Sequence, residues 1–128
     1  MTTKQFEVSI LDKPGEVARL AEVLAKNAVN IRGISTDLGK SPPIIHVITD
    51  DEASARRVLK AGGFDFLEKE VLVISMSDKP GELAKITRKL AKAGINIESM
   101  FILGPKASEV QVAVGVDQRK RAQDLLAK

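Results

Sequence analysis

Asp12-Lys13-Pro14-Gly15-Glu16 returns unchanged as Asp78-Lys79-Pro80-Gly81-Glu82, 66 residues further along a chain of 128. The likeness outlasts those five residues. Eleven of the twenty positions from Asp12 to Ile31 are identical to those from Asp78 to Ile97, and both copies close on an Asn-Ile pair, Asn30-Ile31 and Asn96-Ile97. A fixed period is the signature of a repeat architecture, and two copies are too few to stack as a solenoid. The duplication predicts two tandem units of one kind, residues 1–69 and 70–128.

Working outward from the motif, Gln5-Phe6-Glu7-Val8-Ser9-Ile10 alternates as a half-buried strand does. After the motif, Val17, Leu20, Ala21, Leu24 and Ala28 recur at helical spacing, and Leu83, Ile86, Thr87 and Leu90 do so in the second copy. The motif is therefore a strand-to-helix turn. Proline is at ease in a first helical turn, where its missing N–H costs nothing, so Asp12 or Lys13 is the expected cap. Gly15 and Gly81 leave the first helical N–H groups open to close approach, at an end that carries positive partial charge.

The rest of the first unit reads as a strand over 30–37, a turn at Gly39-Lys40-Ser41-Pro42-Pro43, a strand from Ile44 to Thr49, a helix to about Lys60 and a fourth strand from Phe64. Gly62-Gly63 ends that helix, and Asn27 is expected in the left-handed position that ends the one before it. In the second unit the strand Val71–Ser77, a helix ending at Gly94, a strand from Ile95 to Leu103 and a turn at Gly104-Pro105-Lys106 follow the same order. The alternating Val110 to Val116 strand and a helix from Asp117 to about Ala127 complete it. Position 64 plus 66 falls beyond residue 128, so the second unit lacks its fourth strand. The fold class is α+β: two tandem ferredoxin-like βαββαβ units, each an antiparallel sheet with helices on one face. Residues 64–77 should carry the chain between the units as one long strand, leaving a Val71–Ser77 edge for the first unit's fourth strand or another chain to cover.

Composition excludes several classes. There is no cysteine, hence no disulfide framework or thiolate metal site, and no run of 18 apolar residues, which points to a soluble, cytoplasmic protein without membrane contact. Net charge is +3, spread thinly. The aromatics are only Phe6, Phe64, Phe66 and Phe101, none on a third strand, which argues against base stacking and nucleic acid as a partner. One histidine, no cysteine and no tyrosine leave few groups for acid–base catalysis, and no phosphate loop or nucleophile elbow is present, so the chain is not expected to be an enzyme and no cofactor is implied. His46 reads as a core or edge residue, Asp50-Asp51-Glu52 as helix capping rather than a metal site, and Arg56-Arg57 and Arg119-Lys120-Arg121 as solvated faces.

The strand, the Asp-Lys-Pro-Gly-Glu-hydrophobic helix start and the Asn-Ile fifteen residues after the glycine, all duplicated, resemble the ACT domain. That family consists of small ferredoxin-like regulatory modules that bind amino acids. The resemblance covers essentially the whole chain and is similar to the short free-standing tandem-ACT proteins. It implies a non-catalytic regulatory protein that senses a free amino acid, forms a homodimer by edge-to-edge pairing, and acts on a metabolic enzyme or regulator. In ligand-binding members the turn's backbone and a polar residue just before Pro-Gly contact the amino acid. The asparagine opening the second strand, or its counterpart on a paired domain, completes the pocket. Matched to this chain, the contacts are Asp12, Gly15 and Asn30, then Asp78, Gly81 and Asn96. Lys13, Pro14, Glu16, Val17 and Ile31 are their neighbours in the first copy, and Lys79, Pro80, Glu82, Leu83 and Ile97 in the second. Serine-binding members of the dehydrogenase type carry histidine and asparagine where this chain has Ile10 and Asp12, so the ligand's identity does not carry over. The residues alone leave two other readings open: the motif as a plain helix start with Asn30 and Asn96 as loop caps, and the protein as a ligand-free interaction or dimerisation module.

Overall fold

The computed structural model describes residues 1–127. In chain order the elements are β1 (Thr2–Ser9), α1 (Glu16–Lys26), β2 (Ile31–Asp37), β3 (Ile44–Thr49), α2 (Glu52–Ala61), β4 (Asp65–Ser77), α3 (Glu82–Lys92), β5 (Ile97–Lys106), β6 (Glu109–Val116) and α4 (Arg119–Leu126). They fall into two compact units, one of Lys4–Lys69 and one of Glu70 onward, and Met1–Thr3 group with the second.

In the first unit the strand order is β2-β3-β1-β4, the ferredoxin-like arrangement. β3 pairs antiparallel with both β1 and β2, with Ile45 opposite Val8 on one side and Thr36 on the other. Phe6 and Val8 of β1 and Ile45 and Val47 of β3 point to one face, where Leu20 and Leu24 of α1 and Ala55, Val58 and Leu59 of α2 close over them. Phe64 and the half-buried Phe66 finish this core, with Phe66 edge-on to Phe6 at 5.7 Å between centroids.

The second unit repeats the order as β5-β6-β4, with Leu72 opposite Val114 and Ile97 opposite Val116. Leu72, Leu90, Ile95 and Ala122 form its buried centre, ringed by Ile74, Ile86 and Val116. The repeat extends to irregularities. The ladder slips between Ile31 and Gly33 in the first unit and between Ile97 and Ser99, the same positions, in the second. Among the described residues no strand follows α4. The first unit's fourth strand, expected as a cover for the Val71–Ser77 edge, is the same strand, β4, and at that edge the Val73 N–H donates to the Met1 carbonyl at 2.9 Å. Beside it a cleft of about 400 Å³ remains, lined by Met1, Leu72, Ile74, Ser75, Gln123 and Leu126.

Residues 65–77 form the single long strand the sequence suggests. Three local expectations fail. Gly104-Pro105-Lys106 is not a turn but the end of β5. Gly104, at φ 101°, sits in a second ladder slip, Pro105 is tolerated because β5 is an edge strand, and the chain turns after Lys106. The left-handed residue ending α1 is Ala28 (φ 58°), not Asn27, whose side chain instead donates to the Val23 carbonyl at 2.8 Å. Proline is not in the first helical turn either: in both copies the helix begins at the glutamate, and the glycine before it is the cap.

Candidate functional site

At the first turn, Gly15 has φ 92° and at the second Gly81 has φ 89°, left-handed values that side chains disfavour. The sharp bend this permits swings the chain from β1 into α1, and no side chain caps either helix. α1 therefore presents its first N–H groups beside the motif, whereas in α3 the Glu82 N–H donates back to the Lys79 carbonyl at 3.3 Å; glycine serves at both turns by its backbone angle as well as by its size.

The first turn is braced from several sides. Ile10 N–H donates to the Pro43 carbonyl at 3.0 Å, and Lys13 N–H to the Leu11 carbonyl at 3.0 Å. Glu16 reaches back from the first helical position, and its Oε1 accepts the Leu11 N–H at 3.1 Å. The same carboxylate accepts from Arg19 Nε at 3.1 Å, and the Arg19 guanidinium lies 4.0 Å from the centre of the Phe64 ring. Arg19 and the Leu11 N–H hold the Glu16 carboxyl below its ordinary value. Asp12, Lys13, Pro14, Gly15, Glu16 and Val17 surround a concavity of about 220 Å³, with Leu11, Ala18, Leu38 and Pro43 completing its wall. The larger cleft beside Met1 offers only Ser75 and Gln123 as polar side chains, so the turn is the better candidate for a charged small ligand.

At the second turn, Asp78, Lys79, Pro80, Gly81, Glu82 and Leu83 follow the same path, with Lys79 N–H donating to the Ser77 carbonyl at 2.9 Å. Glu82 pairs outward with Lys85 at 2.9 Å. Its side chain is 25% exposed against 6% for Glu16. Nothing equivalent to Phe64 stands behind it, because the strand that Phe64 leads into has no counterpart among the described residues.

Asn30 and Ile31 do not join the first turn. Ser9, just before the turn, and Asp37, at the end of β2, both pair with Ile44, whereas Ile31 pairs with Thr49 at the other end of β3. Those ends are about 17 Å apart at the usual strand rise. Asn96 and Ile97 are likewise remote from the second turn, since Ile97 pairs with Val116 and Ser77 with Glu109. Each asparagine is held by its backbone: Asn30 N–H donates to Asp50 Oδ1 at 2.9 Å and Asn96 N–H to Asp117 Oδ1 at 3.0 Å. The residues missed in the first wall, Leu38 and Pro43, lie at both ends of the β2–β3 loop. The antiparallel order returns that loop to the end of the sheet where β1 finishes, and this could have been read from the strand order.

His46 lies on the strand face away from the helices, 3.3 Å from Gln5 and 3.6 Å from Glu7, outside the concavity. Asp51 caps α2, accepting the Ser54 N–H at 3.1 Å. Among the described residues no group of three histidine, aspartate or glutamate side chains could hold a metal ion, and no helix is long and apolar enough to cross a membrane.

Residues 71–127 match the ACT domain family model. Protein BT0572 from Bacteroides thetaiotaomicron has a similar structure: TM-score 0.90 and 26% identity, over 99% of this chain and 88% of that one. The ligand-free regulatory subunit of aspartate kinase from Thermus thermophilus gives 0.64 and 18%, over 98% and 90%. The corresponding subunit from Thermus flavus gives 0.56 and 19%, over 98% and 90%. No curated protein sequence matches the chain.

Proposed function

We infer, from the ACT domain that residues 71–127 form and the matching unit that precedes it, that this is a non-catalytic regulatory protein sensing a free amino acid. The observation that carries the reading is the concavity at the first turn, which gathers six residues of the repeated motif around an uncapped helix start. A free amino acid bears a carboxylate and an ammonium a few ångströms apart, so its site needs donors beside an acceptor. The N–H groups at the start of α1 supply the donors and the exposed Asp12 supplies the acceptor. Glu16 is occupied by Leu11 and Arg19 and serves to hold the turn rather than the ligand. The second turn, with Asp78 and Gly81, offers a similar set on a less braced loop, with the Glu82 N–H turned back to Lys79. Asn30 and Asn96 cannot reach the turn of their own unit, but a second copy of the chain could present one, so a homodimer would complete the site. The Thermus proteins named as regulatory subunits of aspartate kinase share the fold, which suits a subunit or regulator of a metabolic enzyme.

Isothermal calorimetry with the twenty amino acids tests the reading. One of them should bind, and Asp12→Ala should weaken it about ten- to a hundredfold, the loss of a charge-assisted hydrogen bond. Absence of binding at millimolar concentration would favour the second reading, a ligand-free interaction module. The exposed Leu11, Val17 and Leu38 around the same concavity are the observation that supports that second reading.

A further inference from the structure

We propose that the concavity at the first turn selects an amino acid with an aliphatic side chain. The proposal rests on the amino-acid reading above and adds the class of side chain. Leu11, Val17 and Leu38 are 62%, 39% and 52% exposed and all border this one concavity. Single exposed apolar residues are ordinary, but three converging on a hollow of about 220 Å³ mark a surface awaiting a cover. Pro14 and Pro43 extend the same apolar wall. The hollow is below the roughly 300–1,000 Å³ of drug-sized sites, so it suits a ligand of a few heavy atoms rather than a nucleotide.

The charges at the site disfavour a second positive charge on the ligand. Asp12 is used by the ligand's ammonium, and Glu16 is taken by Arg19 and the Leu11 N–H. A basic side chain would find no further carboxylate in the wall and would face Lys13, and an acidic one would have only the exposed Lys13, set beside Asp12. A neutral polar side chain would give up water against leucine and proline with no partner in return. An aliphatic side chain gains about fourfold in affinity for each CH₂ it buries there. The second turn shares the apolar wall only in part. Ser77 stands 66 residues on from Leu11, whereas Leu83 matches Val17 and stays exposed, and the ladder places Val110 opposite Met76 where Pro43 meets Ile10.

Calorimetry on the full chain with L-leucine, L-isoleucine, L-valine, glycine, L-serine, L-lysine and L-aspartate is the test. The three aliphatic amino acids should bind at least tenfold more tightly than the other four. Leu38→Ser should weaken leucine about tenfold and glycine much less. Leu38 is exposed, so the variant should keep its fold, which its circular dichroism will show. Tighter binding of lysine, aspartate or serine that is lost in Asp12→Ala would overturn the aliphatic assignment and leave the amino-acid reading standing. If no amino acid binds at millimolar concentration, the reading beneath it fails as well. Conversion of a dimer to a monomer by Leu38→Ser in light scattering, with leucine affinity unchanged, would reassign the surface to a second copy of the chain and overturn the proposal.

Discussion

At the first turn Glu16 folds back onto Leu11 and is held there by Arg19, which rests on Phe64. At the second, Glu82 leans out to Lys85, whose side chain is largely in solvent. The two motifs are identical from aspartate to glutamate, and both glycines take nearly the same left-handed angle. What separates them is more than forty residues away in the sequence. Phe64 precedes β4, the first unit's fourth strand, and among the described residues no strand follows α4 in the second unit. A short motif thus fixes the path of the backbone, while the set of strands around it decides whether its charged side chain braces the turn or faces water.

Removing Phe64 should erase most of the distinction. Phe64 is 7% exposed and belongs to the first unit's core, so Phe64→Ala should cost about 3–5 kcal/mol in urea unfolding and release Arg19 as well. A loss below about 1 kcal/mol would mean that the ring does not anchor the turn. Next come the glycines. An added Cβ at Gly15 or Gly81 meets nothing within 4 Å, so Gly15→Ala and Gly81→Ala should each cost only the left-handed backbone penalty, about 1–2 kcal/mol, and by similar amounts. A much larger loss at Gly15 than at Gly81 would show that the bracing, not the backbone angle, sets the sensitivity. A smaller change, of opposite sign, is expected at the helix ends. α3 ends on Gly94 at φ 73°, whereas α1 is followed by Ala28 at φ 58°. Ala28→Gly should therefore raise stability by about 0.5–1 kcal/mol, the strain relieved less the entropy glycine adds to the unfolded chain.

The pH response separates the turns most finely. The Glu16 carboxyl is held below its ordinary value of 4.5 by Arg19 and the Leu11 N–H. Its stabilising share is full above that ordinary value, and it is lost as pH falls from there through the lower folded value. Asp51 and Glu68 are lowered too, by Ser54 and Arg56, and lose their shares in the same acid range. The informative quantity is the difference between parent and Glu16→Gln. That difference should shrink as pH is lowered through the carboxylate range; a constant gap from neutral pH to pH 3 would detach Glu16 from the titration.

Much of the fold was legible because duplication doubles each signal. The motif sets the strand-helix junction twice, at Asp12–Glu16 and again at Asp78–Glu82. Residues with two plausible uses were harder. Gly104-Pro105 carries the composition of a turn, yet a glycine at a bulge and a proline on an edge strand satisfy the same backbone needs. Pro14 could begin a helix as well as precede a glycine cap, and only the tertiary path decides. The candidate site divides along the same line. Asp12 to Val17 meet because they are contiguous, whereas Asn30 and Asn96, matched by family resemblance, stand at the far ends of their sheets. Leu38 and Pro43 escaped notice because their place depends on which strands neighbour β3.

β4 begins as the last strand of one unit and continues as the first strand of the other. For the history of such a gene, this makes the duplication hard to undo. A break at the unit boundary between Lys69 and Glu70 would fall inside a strand, and the second half would also leave behind Met1, whose carbonyl accepts from Val73. Descendants of this chain can vary either turn independently, as the two copies here already differ, but they would be expected to inherit both units together.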